Sequence, residues 1–247
     1  TCYSDIVKTY RNPLIWSSDK HSVFKTKFGN TPLFEHHTNS IVFIDPPDHT
    51  RIRNLFQSAF TRKALAAFVP RITGLVDEYL DRLEDQGEME VVEEFSFRLP
   101  IEVVCDLLGV PRQDRELIRG WANSILTALE PTLMQKQLDD GNQAVVDFKQ
   151  YLRDLIAYRR VHPHDAKDTE VLTILADAEA DGKGLTEVEL LHQCIFMLNA
   201  GHETSTNMIS HGIHEMLLNP DQIELLSKKP DLIEPMVEEV LRYQAPI

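Results

Sequence analysis

Cysteine is scarce: Cys2, Cys105 and Cys194 are scattered over 247 residues. So few thiols exclude a disulfide framework and a multi-cysteine zinc module, and a reducing, cytoplasmic setting is the expectation. No run of 18 apolar residues occurs, which excludes a simple membrane-spanning helix. No basic-then-apolar leader pattern opens the chain, although its first residue, Thr1, is not methionine. Base is short relative to acid, with 25 Lys/Arg against 39 Asp/Glu and a net charge of −14, so nucleic-acid binding is not expected. The deficit is uneven. Residues 1–71 hold ten Lys/Arg and five Asp/Glu, or +5, which leaves −19 for the remainder. That basic early third suits an acidic protein partner. Internal repeats, low-complexity tracts and linkers are also lacking, so 1–247 reads as a single helical domain.

The hydrophobic pattern that is present is mostly helical. Ser4 to Tyr10 reads as a short helix, and residues 12–47, broken by prolines and Gly29-Asn30, read as irregular loop. Pro46-Pro47-Asp48 opens a helix through Phe60. Thr61 is placed as the next N-cap, with Pro70 in the first turn of a helix near 69–85. Glu88 to Glu93, with Met89, Val91 and Val92, is the strand candidate. Helices are expected at about 95–108, 112–128 and 139–161. Asp181-Gly182-Lys183-Gly184 marks a turn. Thr186 and Glu189 then form a capping box for a helix running toward Asn219. Two shorter helices open at Pro220 and Pro230, the second ending at Tyr243. The fold class is mostly α with a long central helix and minor β.

Inside that central helix lies Ala200-Gly201-His202-Glu203-Thr204. Glycine costs about 1 kcal/mol against alanine in a helix interior. A buried glutamate costs more unless paired, so the stretch is expected to serve a site. Leu190, Cys194, Met197, Leu198 and Gly201 recur at helical spacing and mark a buried face. Gly201 is expected to let a flat ligand approach the backbone. Thr204 is expected to hydrogen-bond the Ala200 carbonyl and loosen the ladder. An acid beside an alcohol suits proton delivery. The same residues also fit a plain helix crossing with a back-bonded threonine and an exposed Glu203.

Two further motifs flank this one. Asp45-Pro46-Pro47-Asp48-His49-Thr50-Arg51-Ile52-Arg53 precedes it, with His49 and Arg53 at i and i+4 on one helix face, and Glu239-Val240-Leu241-Arg242 follows it. Together with Phe60-Thr61, Leu108-Gly109-Val110-Pro111 and Asn219-Pro220, these motifs resemble the soluble bacterial cytochromes P-450 over nearly the whole chain. The resemblance implies a cytochrome P-450-like helical fold and a heme-thiolate monooxygenase. Such an enzyme oxidises a small, largely apolar molecule with O2 and electrons from a ferredoxin and ferredoxin reductase. It further implies that His49 and Arg53 hold a heme propionate, that Ala200 and Gly201 lie against the heme, and that Thr204 and Glu203 manage protons. Glu239 and Arg242 are implied to be a structural ion pair. By position, Phe34, Val42, Leu133, Phe196, Met197 and Asn199 are the candidate substrate contacts. Arg62 and Lys63 are implied to face an acidic ferredoxin.

The family's iron ligand is a cysteine in a loop after the Glu-x-x-Arg helix, and none of the three cysteines here has that setting. No metal ligand is therefore assigned within 1–247. The axial cysteine is expected outside this chain, which reads as a segment cut at both ends. A heme-free helical binding or scaffold protein remains the alternative. His202, His211 and His214, like His36-His37 and His162-x-His164, lack the companions of a metal site and are expected on polar surface or in loops.

Overall fold

The computed structural model describes residues 2–60, 62–84, 86–162, 171–180 and 184–246. In chain order its helices are α1 (Tyr3–Tyr10), α2 (His21–Phe28), α3 (Pro32–Asn39), α4 (Asp48–Ala59), α5 (Arg62–Glu84) and α6 (Arg98–Leu107). These are followed by α7 (Arg115–Thr127), α8 (Gln135–Val161), α9 (Val171–Ala180), α10 (Glu187–Leu218), α11 (Pro220–Lys228) and α12 (Ile233–Tyr243). Short helical turns cover Ile41–Phe43, Val91–Ser96, Arg112–Asp114 and Pro230–Leu232. No strand occurs among the described residues. The cap assigned to Thr61, the turn residues Asp181-Gly182-Lys183 and His164 of the His162-x-His164 pair lie outside the described residues. No described helix is long and apolar enough to cross a membrane. The chain divides into two compact units, residues 1–67 with 105–197, and residues 68–104 with 198–247.

The first unit is built on the antiparallel hairpin of α7 and α8. Ile118, Ala122 and Ile125 on α7, and Val145, Phe148 and Leu152 on α8, are fully buried. Trp121 packs on Phe148 and Tyr151, with ring centroids 5.6 and 5.9 Å apart. The helices approach closely because Gly141 has no side chain. A Cβ there would lie 3.0 Å from Ala128 Cβ and 3.1 Å from the Ser124 carbonyl oxygen. A buried ion pair joins Arg115 and Asp106 at 2.5 Å, and Arg115 also donates to the Val110 carbonyl. Such a pair is costly to break, because the remaining charge stays buried.

Residues 12–47 depart from the loop reading. Pro32 does not interrupt structure but occupies the first turn of α3, where its missing N–H costs nothing, and Thr31 caps it. The Leu33 amide donates to Asn142 Oδ1 at 3.0 Å, and Lys149 pairs with Glu35 at 2.8 Å, which tie α3 to α8. His36 and His37 are buried rather than in a surface loop. His36 Nδ1 lies 3.3 Å from Nδ1 of buried His192 on α10. His37 stacks on Phe28 with centroids 5.3 Å apart. Gln193 accepts from the Ile41 amide at 3.0 Å and donates to the Asn39 carbonyl, closing the end of α3.

In the second unit, the strand candidate at 88–93 is also corrected. Glu90 accepts from the Glu93 amide, while Glu94 accepts from the Glu90 amide at 2.8 Å. These carboxylates cap a π-helical turn, and local capping outweighs β-branched propensity where no partner strand exists. Ser96 donates to the Val91 carbonyl at 3.0 Å and lies 2.6 Å from Ser210 Oγ. A hydroxyl has one proton, so Ser210 donates to Ser96. Pro70 sits inside α5, not at its start. The helix continues past it, with Phe68 and Leu75 buried on either side.

Burial holds His192 down to about 4, aided by Lys149 and opposed by Glu35. Burial with nearby Lys27 and His192 holds His37 down to about 4. His36 is pushed well below its ordinary value by burial and by His37, His192 and Lys149. The fold thus keeps three neutral imidazoles, whereas the unfolded chain protonates them as pH falls through about 6.5. Their contribution to stability is complete above about 6.5 and is lost as pH falls toward 4. Urea midpoints measured from pH 7.5 to 4.5 are expected to fall across this window. Replacing His192 by Leu is expected to flatten the fall.

Candidate functional site

Helix α4 carries the first motif. Ile52 is fully buried and fixes the inner face of the helix. Arg51 pairs with Glu189 at the start of α10, donates to the Gly184 carbonyl at 3.3 Å and lies 3.4 Å from Asp48. Glu189 is also the acid of the expected capping box. It accepts from the Thr186 amide at 2.8 Å, and its own amide donates to Thr186 Oγ1 at 3.2 Å. Burial pushes the Glu189 carboxyl up, but the bonds from Arg51 and Thr186 outweigh it and hold the group below its ordinary value. The first turn of α10 thereby orients α4.

His49 and Arg53 then face a cleft of about 690 Å³ in the first unit, with Trp16, Val42, Asp45 and Phe196 among its walls. Asp45 fixes the opposite wall by accepting from Ser17 Oγ and from the Ser18 amide at 2.9 Å. The Ser17 and Ser18 bonds hold its carboxyl below the ordinary range, and His49 contributes in the same direction. Arg53 is exposed, and its guanidinium has no hydrogen bond or ion pair with another described residue. Thus four candidates from the sequence, Val42, His49, Arg53 and Phe196, share one cleft. Phe34 is not among its walls: its ring lies 5.0 Å from His21 and under Lys25 Nζ at 5.0 Å. Leu133 and Met197 are half-buried.

The second motif is described within the second unit. Thr204 donates to the Ala200 carbonyl at 2.7 Å, as its spacing predicts. Thr206 repeats the device on the His202 carbonyl at 2.9 Å. Glu203 is exposed, so the expectation of a buried acid is corrected. At Gly201 the neighbour in view is α6. A Cβ there would lie 2.8 Å from Val104 Cγ2, so the glycine admits a close approach of α6. The buried polar residue is His202, at 3% exposure, which the sequence reading put on polar surface. Its Nε2 lies 3.1 Å from the Phe97 carbonyl oxygen. Asn199 is buried, and its Oδ1 has no hydrogen-bond partner among the described residues. A lone histidine in a polar stretch gives no sequence signal for such burial, because the signal lies in what packs against it.

Glu239 and Arg242 meet as a two-bonded pair, Nε to Oε2 at 2.7 Å and Nη2 to Oε1 at 2.6 Å, on the exposed side of α12. Cys105 and Cys194 are fully buried, and burial pushes the Cys194 thiol up to about 12. Cys2 is exposed. Arg62 is exposed, and the side chain of Lys63 lies outside the described ones.

A family model described as Cytochrome P450 matches residues 17–245. The chain belongs to the cytochrome P450 family. It is 34% identical over its whole length to the vitamin D(3) 25-hydroxylase of Pseudonocardia autotrophica, of which it covers 58%. It is 36% identical over 83% of its length to the biotin biosynthesis cytochrome P450 of Bacillus subtilis, covering 51% of that protein. Among solved structures, the cytochrome P450 PksS of the Bacillus subtilis bacillaene polyketide synthase aligns over 98% of this chain and 58% of its own. That alignment has a TM-score of 0.81 and 29% identity. The chain thus spans a little over half the length of these relatives.

Because Glu189 both caps α10 and anchors Arg51, Glu189→Ala is expected to destabilise the protein by about 1–2 kcal/mol. Urea unfolding measures this, and an unchanged midpoint means that the pair does not hold α4.

Proposed function

We propose that this chain is the heme-binding and oxygen-activating portion of a cytoplasmic monooxygenase. It oxidises a small, largely apolar molecule with O2 and electrons from a ferredoxin and its reductase. The observation that carries this reading is the cleft in which His49 and an unpaired Arg53 meet apolar walls. The residues there suit heme, a flat apolar group with two carboxylates. Their N–H donors are not committed to other described side chains, and Trp16 and Phe196 supply aromatic surface. When bound, heme would supply the reductive activation of dioxygen. Burial of Cys105 and Cys194 supports an axial thiolate from outside residues 1–247.

The chain's own residues then divide the work. His49 and Arg53 would hold heme by donating to its propionate oxygens. Ala200 keeps the open side of α10 low. Thr204 has its single proton on the Ala200 carbonyl, so its oxygen presents lone pairs and accepts a hydrogen bond from an incoming group. Exposed Glu203 exchanges protons with solvent beside it. Asn199 offers an unpaired buried acceptor to an N–H or O–H of the substrate. Val42, Phe196, Met197, Leu133 and Phe34 supply apolar surface, and the relative named for hydroxylation of vitamin D(3) supports an apolar substrate. Arg62 and Lys63 offer positive charge to an acidic ferredoxin.

The reduced, carbon-monoxide-bound absorption spectrum of the heme-loaded protein is the first test. A strongly red-shifted Soret band from the protein that includes the proposed thiolate supports the reading, and a failure to take up heme overturns it. Arg53→Ala is expected to weaken heme binding by about tenfold, the scale of one charge-assisted hydrogen bond. Thr204→Ala is expected to keep heme but to divert electrons to released hydrogen peroxide. Product formed per electron consumed reads this directly, and an unchanged ratio removes Thr204 from the mechanism.

A further inference from the structure

Around the second motif, α10 shows two faces. Asn199, His202 and Thr206, at i, i+3 and i+7, are buried. Ala200 and Glu203 are exposed, and Thr204 is half-exposed. With about 3.6 residues per turn, the two sets are centred roughly 120° apart, on adjoining faces of the helix, with Glu203 one turn beyond Asn199 at the border between them. What sets that rotation is visible inside the second unit. Gly201 allows Val104 of α6 to approach until a Cβ would stand 2.8 Å away. The next residue, His202, reaches the carbonyl of Phe97, which immediately precedes α6, at 3.1 Å. Its ring also packs edge-on against the Phe97 ring, with centroids 4.4 Å apart at 74°. A carbonyl only accepts, so His202 Nε2 carries the proton in this bond.

We propose that His202 is a positioning residue. Its Nε2–H bond to the Phe97 carbonyl, beside the Gly201–Val104 contact, fixes the rotation of α10 that turns Glu203 and Thr204 to the open face. The proposal rests on the monooxygenase reading for what Glu203 and Thr204 do there, but not for the rotation itself. Steric contact alone sets how near α6 comes. The directed bond sets the angle, because a helix turned by one residue moves the donor away from its acceptor.

Two variants separate the donor from the ring, and a further pair tests the steric contact beside it. His202→Phe keeps an aromatic ring and loses the N–H. His202→Gln loses the ring and keeps an N–H at a similar reach. Gly201→Ala pushes α6 away, and adding Val104→Ala removes the clash. Amide hydrogen exchange of a peptide covering residues 198–210 is measured for each, together with product per electron in the heme-loaded enzyme. Exchange in His202→Phe is expected to be about tenfold faster, the scale of one buried hydrogen bond, and to return toward the parent rate in His202→Gln. Product per electron is expected to fall and recover in the same order, with heme content unchanged. Parent-like exchange and coupling in His202→Phe overturns the proposal, as does a His202→Gln variant no better than His202→Phe. If His202→Phe does not fold, His202→Leu, which also lacks the N–H, takes its place: faster exchange than in His202→Gln supports the proposal, and equal rates overturn it. If the protein takes up no heme, the monooxygenase reading fails by itself, and the exchange rates still decide the role of His202.

Discussion

Helix α10 is buried on all sides from Leu190 to Ile195 and on one side only beyond Leu198, and the chemistry available in that second stretch follows from which side is covered. Leu191, Ile195, Leu198, Asn199, His202 and Thr206 form a continuous buried row along it. Ala200, Glu203 and Thr204 are left off that row. Two ordinary devices enforce the choice in the middle of the helix, a glycine that admits a neighbouring side chain and a histidine that bonds a neighbouring carbonyl. The threonine hydroxyls at 204 and 206 turn back onto carbonyls of the same helix, so neither competes for external partners through its proton. Polarity is thus rationed by direction along a single helix.

Charge follows a similar division in the first unit. Arg51, Arg115 and Lys149 each have a carboxylate, and Arg115 and Asp106 are buried together. Arg53, two residues beyond Arg51 on the same helix, faces the cleft instead. The alternation along α4 makes Ile52 the anchor, Arg51 the brace and His49 with Arg53 the open hand. The imidazoles of His36, His37 and His192 take the opposite solution, in which burial keeps them neutral and so avoids the cost of an unpaired interior charge.

Features governed by local chemistry were legible in the sequence. The Thr186–Glu189 box, the Thr204 back-bond, the Glu239–Arg242 spacing and the shared face of His49 and Arg53 depend on residues within one or two turns of one another. The extents of α4, α10 and α12 follow from caps and apolar periodicity. Features set by distant contacts were not legible. Pro32 signals a break and Pro70 a helix start, yet the first begins a helix and the second lies within one. Val91 and Val92 favour a strand until flanking glutamates cap a helical turn. The glycine at 201 announces a close approach without saying whose, and Val104 is 97 positions away. The histidine cluster joins positions 156 residues apart, and no helix was expected at Val171–Ala180.

The serine chain beside the π-helical turn has an unequal consequence for its members. Because the protons run in one direction, from Ser210 to Ser96 to the Val91 carbonyl, the middle hydroxyl serves two partners and the outer one serves only itself. Loss of the Ser210 hydroxyl leaves the link between Ser96 and Val91 in place. Loss of the Ser96 hydroxyl strands a donor on α10 and an acceptor in the turn at once. The two serines are chemically identical, and their order in the chain of bonds alone makes one of them the keystone.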